Sequence, residues 1–223
     1  MFNKQNRKFI VIGGISLILI ISLFLQGFVF NTDTDTTENI ENISDTHFVL
    51  GNDDAPVTIE IITDYQCTEC AYFNKNVLKH IRSYYVHTGL VKIYIRDYMY
   101  YGPESMQAAI AARCAGDQNA FWRYHDALYS AQGPPNEHWA VKENLITIAE
   151  YLDLDVVDFD NCLMSDKYPA AIAYDYELAI SKGVTEVPTF IISGGPYDKT
   201  ERIEGVVPFP VFQEIIESML SYN

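Results

Sequence analysis

The sequence predicts an α/β domain made of a β-α-β half and a β-β-α half, separated by an inserted helical block and preceded by one N-terminal transmembrane helix. Three observations carry that prediction. A run rich in β-branched residues, 56–63, gives way at Cys67-Thr68-Glu69-Cys70 to apolar groups at helical spacing. Residues 90–97 alternate apolar and polar like a strand, and β character returns at 189–193 and 202–205 after a long helical interval. Residues 9–30 carry no charged side chain, and about 22 residues of helix would span about 33 Å, enough for a bilayer core.

Lys4, Arg7 and Lys8 precede the uncharged run, while Asp33, Asp35, Glu38 and Glu41 follow it. This asymmetry places residues 1–8 in the cytoplasm, 9–30 in the membrane as an anchor, and everything after Asn31 outside. A cleaved signal peptide is the alternative, disfavoured by the length of the run and by the lack of a small-x-small site at 26–30. Either way the cysteines are exported. Residues 31–46 are rich in Asp, Thr, Glu and Asn, too polar for a core, and read as an acidic flexible linker. The remainder, 47–223, is long enough for one domain with a full core.

Within that domain the first helix is expected to stop at His87-Thr88-Gly89, and the strand at 90–97 then forms a parallel pair with the first by a right-handed crossover. From about 103 to 182 the character is helical. Helices are expected at 105–115, 119–130, 141–152 and 168–182, with Pro134 and Pro135 breaking the middle. An amphipathic helix at 209–220 closes the chain. A thioredoxin fold has these parts.

Cys67 falls at a helix N-terminus, where unpaired N–H groups and the positive end of the helix dipole favour a thiolate, the reactive form of cysteine. Cys70 lies about one turn further on, where it could close a disulfide. The same spacing also serves zinc, soft metals or a plain structural disulfide, so a second signal is required. That signal is Gly183-Val184-Thr185-Glu186-Val187-Pro188-Thr189-Phe190: a proline opening a β run is tolerated only where its missing N–H is not needed, and a cis bond there would bring the chain close to the cysteines.

With these residues the chain resembles the DsbA-like thiol-disulfide oxidoreductases of the thioredoxin_4 branch. The similarity runs from Leu50-Gly51-Asn52-Asp53-Asp54-Ala55-Pro56-Val57-Thr58 through Arg113-Cys114-Ala115, Phe121-Trp122-Arg123-Tyr124-His125-Asp126-Ala127-Leu128 and Val187-Pro188-Thr189-Phe190-Ile191 to the last helix. The resemblance implies that Cys67 is the nucleophile, Cys70 the resolving cysteine and Pro188 a cis-proline, with Val187 the variable residue before it. It also implies that the chain moves disulfides into or out of exported proteins, recharged by a quinone-linked membrane partner of the kind relatives use.

Two departures qualify the resemblance. Members often carry proline after the first cysteine and an acid six positions before it; here Thr68 and Ile61 stand there. Glu60 is adjacent, but strand alternation sends it to the opposite face. Glu69, between the cysteines, opposes a thiolate and is expected to make the pair a weaker oxidant; Thr68, Glu69 and Val187 are the expected redox-tuning residues. Some relatives have cysteines at the positions of Cys114 and Cys162, and an even count outside the cell favours a structural disulfide between them. Two buried free thiols and a relay pair are the alternatives.

The excess of acidic over basic residues, 30 against 15, gives a formal charge of −15, which argues against nucleic acid and against a basic membrane-docking patch. His80, His87, His125 and His138 show no ligand spacing, so no metal or cofactor is expected. Trp122 and His125 are expected to pack the inserted block, and the tyrosines at 84–85, 98 and 100–101 to form core or rim. No phosphate loop and no serine with a base is present. The expectation is a membrane-tethered, extracytoplasmic thiol-disulfide oxidoreductase acting on thiols or disulfides of exported proteins. Its rivals are a metallochaperone using Cys67 and Cys70 as soft ligands, and a non-catalytic domain that only binds chains.

Overall fold

The computed structural model describes residues 48–195 and 198–221. The expected cytoplasmic segment, anchor and linker, residues 1–46, lie outside the described residues, as do His47 and Pro196. Among the described residues no helix is long and apolar enough to cross a membrane.

Five strands form one sheet in the order β1-β3-β2-β4-β5: β1 Val49–Leu50, β2 Val57–Thr63, β3 Val91–Asp97, β4 Thr189–Gly194 and β5 Lys199–Glu204. β2 and β3 are parallel, with Ile59 opposite Ile93 and Ile61 opposite Ile95. β4 runs antiparallel to β2, placing Phe190 opposite Ile61, and β5 runs antiparallel to β4. The short β1 was not foreseen: two residues are too few for a pattern, and it exists because Val49 and Leu50 pair antiparallel with Tyr94 and Ile93 on the outer edge of β3. Gly51, at φ +113°, lets the chain leave that edge, since a Cβ there would sit 2.6 Å from the Val91 carbonyl oxygen.

Helix α1 begins as Thr68–Phe73 and continues unbroken through a wide π-turn at Asn74–Leu78, an α-turn at Lys79–Ile81 and a second π-turn at Arg82–Val86. It covers one face of the sheet. Phe73 on α1 meets Phe190 on β4 at 4.5 Å between ring centroids, and Phe190 meets Phe212 at 4.9 Å. Phe212 belongs to the last helix, α7 Phe209–Leu220. All three rings are buried. Each is worth roughly 1.5–3 kcal/mol of transfer energy, and together they fix the start of α1 against the start of β4.

Between β3 and β4 lie five helices: α2 Pro103–Gly116, α3 Phe121–Ala131, α4 Lys142–Tyr151, α5 Val156–Leu163 and α6 Pro169–Ser181. α5 was not anticipated, although its cap is ordinary: the Asp155 carboxylate accepts from the N–H groups of Val157 and Asp158 at 2.9 and 3.0 Å. α5 is joined to α2 by a disulfide between Cys162 and Cys114. α6 covers part of the sheet face opposite α1. There Glu60 accepts from Arg96 at 2.7 Å and from Lys182 at 2.6 Å. Burial raises the Glu60 pKa, but those two cations outweigh it and hold the carboxyl below its ordinary value. Arg113 on α2 bridges Asp97 of β3 and Asp175 of α6, and Arg96 reaches the other oxygen of Asp175 at 3.1 Å.

Candidate redox site

β2 carries the chain to the C-terminal edge of the sheet, and Asp64-Tyr65-Gln66 turns it into α1. Cys67 is the N-cap of that helix, in extended conformation, and its Sγ accepts from the Cys70 N–H at 3.3 Å. Both thiols are free and buried, 4 % exposed for Cys67 and 1 % for Cys70. The partial exposure that reactive cysteines usually have is therefore smaller at Cys67 than its position in sequence suggests.

The second half supplies the opposite wall. The Val187-Pro188 peptide bond is cis, and the Cys67 thiol donates to the Val187 carbonyl at 3.5 Å. Residues 120 positions apart in sequence are thus in contact. Thr68 and Glu69 are exposed on the outer side of the first turn.

The two thiols are electrostatically unequal. The Cys67 pKa is lowered, first by the hydrogen bond it accepts from the Cys70 thiol, against the cost of burial, and then by the backbone N–H groups of Cys70 and Glu69 at the helix start. The Cys70 pKa is raised well above its ordinary value, first by burial and then by its bond to Cys67; the Asp64 amide and the Thr63 hydroxyl pull it back in part. One sulfur is prepared as a thiolate and the other holds the proton. The carboxylate that most opposes the Cys67 thiolate is Asp64, not Glu69, whose backbone amide instead favours it.

Several neighbours were not found from the sequence. The Thr63 hydroxyl lies 2.7 Å from the Tyr129 hydroxyl. Gln132 donates its side-chain amide to the carbonyls of Tyr65 and Cys67 at 2.6 and 3.0 Å, and the Asn136 N–H donates to Gln66 Oε1 at 2.7 Å. These residues come from α3 and the proline-bearing loop behind it, so the inserted block grips the backbone leading into the thiols. No periodicity signals such contacts; the only cue was Pro134-Pro135, which ends α3 close to the site.

His125 and Trp122 also differ from expectation. Rather than packing the inserted block alone, Trp122 donates to the Val49 carbonyl of β1 at 3.1 Å. His125 sits between the Tyr65 hydroxyl, 2.8 Å from Nδ1, and Asn74 Oδ1, 3.1 Å from Nε2. Nε2–H donates to Asn74 and Nδ1 accepts from Tyr65, a neutral tautomer consistent with a pKa lowered by burial to about 3. Among the described residues no group of three or more His, Cys, Asp or Glu is placed to hold a metal ion.

A family model described as Thioredoxin (Thioredoxin_4) matches residues 43–209. The chain is 26% identical over 198 residues to the probable disulfide bond formation protein D of Bacillus anthracis, covering 86% of this chain and 90% of that one. Its fold is similar to that of oxidised BdbD from Bacillus subtilis, at TM-score 0.69 and 26% identity over 78% of this chain and 92% of the other. It is likewise similar to α-DsbA1 of Wolbachia pipientis, at TM-score 0.67 and 24% identity over 77% and 89% of the two chains.

Proposed function

The chain belongs to the DsbA-like branch of the thioredoxin family, and from that premise we propose that Cys67 and Cys70 form the redox centre of a membrane-tethered enzyme that introduces disulfides into exported proteins. It is a protein disulfide oxidoreductase. The lowered Cys67 pKa supports this direction, since a stabilised thiolate favours the reduced form of the pair. Relatives named for disulfide bond formation point the same way.

In the forward reaction a substrate thiolate attacks Sγ of Cys67 in the Cys67–Cys70 disulfide. A mixed disulfide to Cys67 forms, the Cys67–Cys70 bond breaks, and Cys70 leaves as a thiolate that takes up a proton. A second substrate thiolate then attacks the substrate sulfur of the mixed disulfide, and Cys67 departs as the thiolate its helix N-terminus favours. The substrate loses two electrons and two protons and gains a disulfide, while the enzyme becomes the dithiol. Pro188 and the Val187 carbonyl form the wall against which the substrate chain lies. Thr68 and Glu69, exposed beside Cys67, face the incoming chain. The Cys114–Cys162 bond is assigned a structural task, tying α5 to α2 away from this exchange.

Recharging needs a two-electron acceptor. The uncharged run at 9–30 with its basic leading flank supports a membrane anchor and an extracytoplasmic domain, where a quinone-linked membrane partner could take the electrons. Cys70→Ser in the full-length chain tests the assignment of roles. Incubated with a cysteine-containing peptide disulfide, it should accumulate a mixed disulfide on Cys67 detectable by mass, and Cys67→Ser should accumulate none. An adduct on Cys70 in Cys67→Ser at a similar rate would reverse the roles.

A further inference from the structure

We propose that Asp64 is a fixed charge that moderates the redox poise of the thiol pair. β2 delivers it directly after Thr63. Its backbone carbonyl accepts from the Cys67 N–H at 3.0 Å, and the residue is only 1 % exposed. Oδ1 accepts from the Gln66 N–H at 2.7 Å; Oδ2 accepts from the Tyr101 N–H at 3.0 Å and from the Ser105 hydroxyl at 2.9 Å.

All of these donors are neutral, and Asp64 joins no ion pair among the described residues. This distinguishes it from the other buried carboxylates, Glu60, Asp97 and Asp175, each of which meets a guanidinium or an ammonium. Burial raises the Asp64 pKa, and the amides of Gln66 and Tyr101 and the Ser105 hydroxyl pull it back in part; being neutral, these donors leave the field of the ionised carboxylate uncancelled for whatever lies next to it. What lies next to it is Cys67, whose thiolate it opposes. The Tyr101 phenol is held above its ordinary pKa, first by burial and then by the charges of Cys67 and Asp64.

The carboxylate is also held in place from the inserted block. Ser105, in the first turn of α2, donates to Asp64 and accepts from Gln66 Nε2 at 3.0 Å, while Gln66 Oε1 accepts from the Asn136 N–H. Asp64 is thus a positioning residue with an electrostatic task. It holds the turn into α1 and disfavours the Cys67 thiolate, making the pair a weaker oxidant than the helix N-terminus alone would.

This inference rests on the thiol-exchange reading above, and it is tested by removing the charge in the full-length chain. Asp64→Asn should lower the Cys67 pKa, read from thiolate absorbance, and shift the equilibrium with glutathione towards the dithiol by about threefold to tenfold. Asp64→Ser, whose hydroxyl can still accept from the Gln66 amide, carries the same expectation if the Asn variant fails to fold. Ser105→Ala removes one hydrogen bond but leaves the charge, and should not lower the Cys67 pKa. The proposal is overturned if the neutral variants leave the Cys67 pKa unchanged, or if Ser105→Ala reproduces their shift, since geometry and not charge would then set the poise. The pKa readout does not require exchange, so it separates this failure from a wild-type chain that does not react with glutathione at all.

Discussion

At the scale of single residues the site divides its labour by burial and by what each group can donate. Cys67 is a cap, and its sulfur meets the amides of Cys70 and Glu69; Cys70 is walled in and keeps its proton. His125 performs a different task, filling a neutral slot between Tyr65 and Asn74 beneath the redox helix. Its folded pKa, about 3, lies below the ordinary value of 6.5. Between those two pH values the unfolded chain therefore binds more protons than the folded one, so stability rises with pH across the window and is lost as pH falls from 6.5 towards 3. Urea titrations from pH 6.5 down to 4 should show wild type losing up to about 1.4 kcal/mol per pH unit more than His125→Gln. Parallel slopes for the two proteins would show that His125 is not held neutral.

At the scale of elements, what was legible was what local chemistry decides. The alternation at 90–97 could be read because β3 buries every second residue, and the β-branched run at 56–63 because β2, central in the sheet, is buried on both faces along nearly its whole length. The closing helix followed from its apolar stripe, and the joint occurrence of the paired cysteines and Val187-Pro188 pointed to one site from two distant segments. β1 and α5 were missed for different reasons. β1 is defined by its partner strand, whereas α5 is a short helix that buries only Phe159, so its Asp155 cap is its main local signal. Sequence adjacency points to Glu69 as the carboxylate opposing the thiolate, but it does not say which carboxylate is buried: Asp64 is, and Glu69 is exposed. The element contacts most remote from sequence reading are the ionic ones under α6. Arg113, side chain 6 % exposed, bridges Asp97 and Asp175, and its guanidinium lies 4.5 Å from the Phe48 ring centroid. Arg113→Met should cost about 3–5 kcal/mol in urea unfolding, because two buried carboxylates lose their shared partner. A loss under about 1 kcal/mol would mean the carboxylates find another cation or accept protons cheaply.

At the scale of the whole molecule, a two-half sheet brings Cys67 to Val187, and an inserted helical block reaches back through Ser105, Gln132 and Asn136 to fix the loop before the thiols. The sheet fold explains why the pair is reactive; the insertion explains how the pair is held and how its charge environment is set. The proposed exported, tethered placement rests on the charge asymmetry of residues 1–46, which lie outside the described residues. Everything proposed about direction turns on one quantity, the equilibrium of the Cys67–Cys70 couple with glutathione in the full-length chain, with Cys114 and Cys162 followed separately by mass. An enzyme that donates disulfides, moderated by Asp64, requires a two-electron couple clearly more oxidising than about −270 mV, the thioredoxin value, and approaching the range of about −120 mV found for strong oxidants. A potential at or below about −270 mV would contradict the oxidising direction, and a pair that never equilibrates would contradict thiol-disulfide exchange itself.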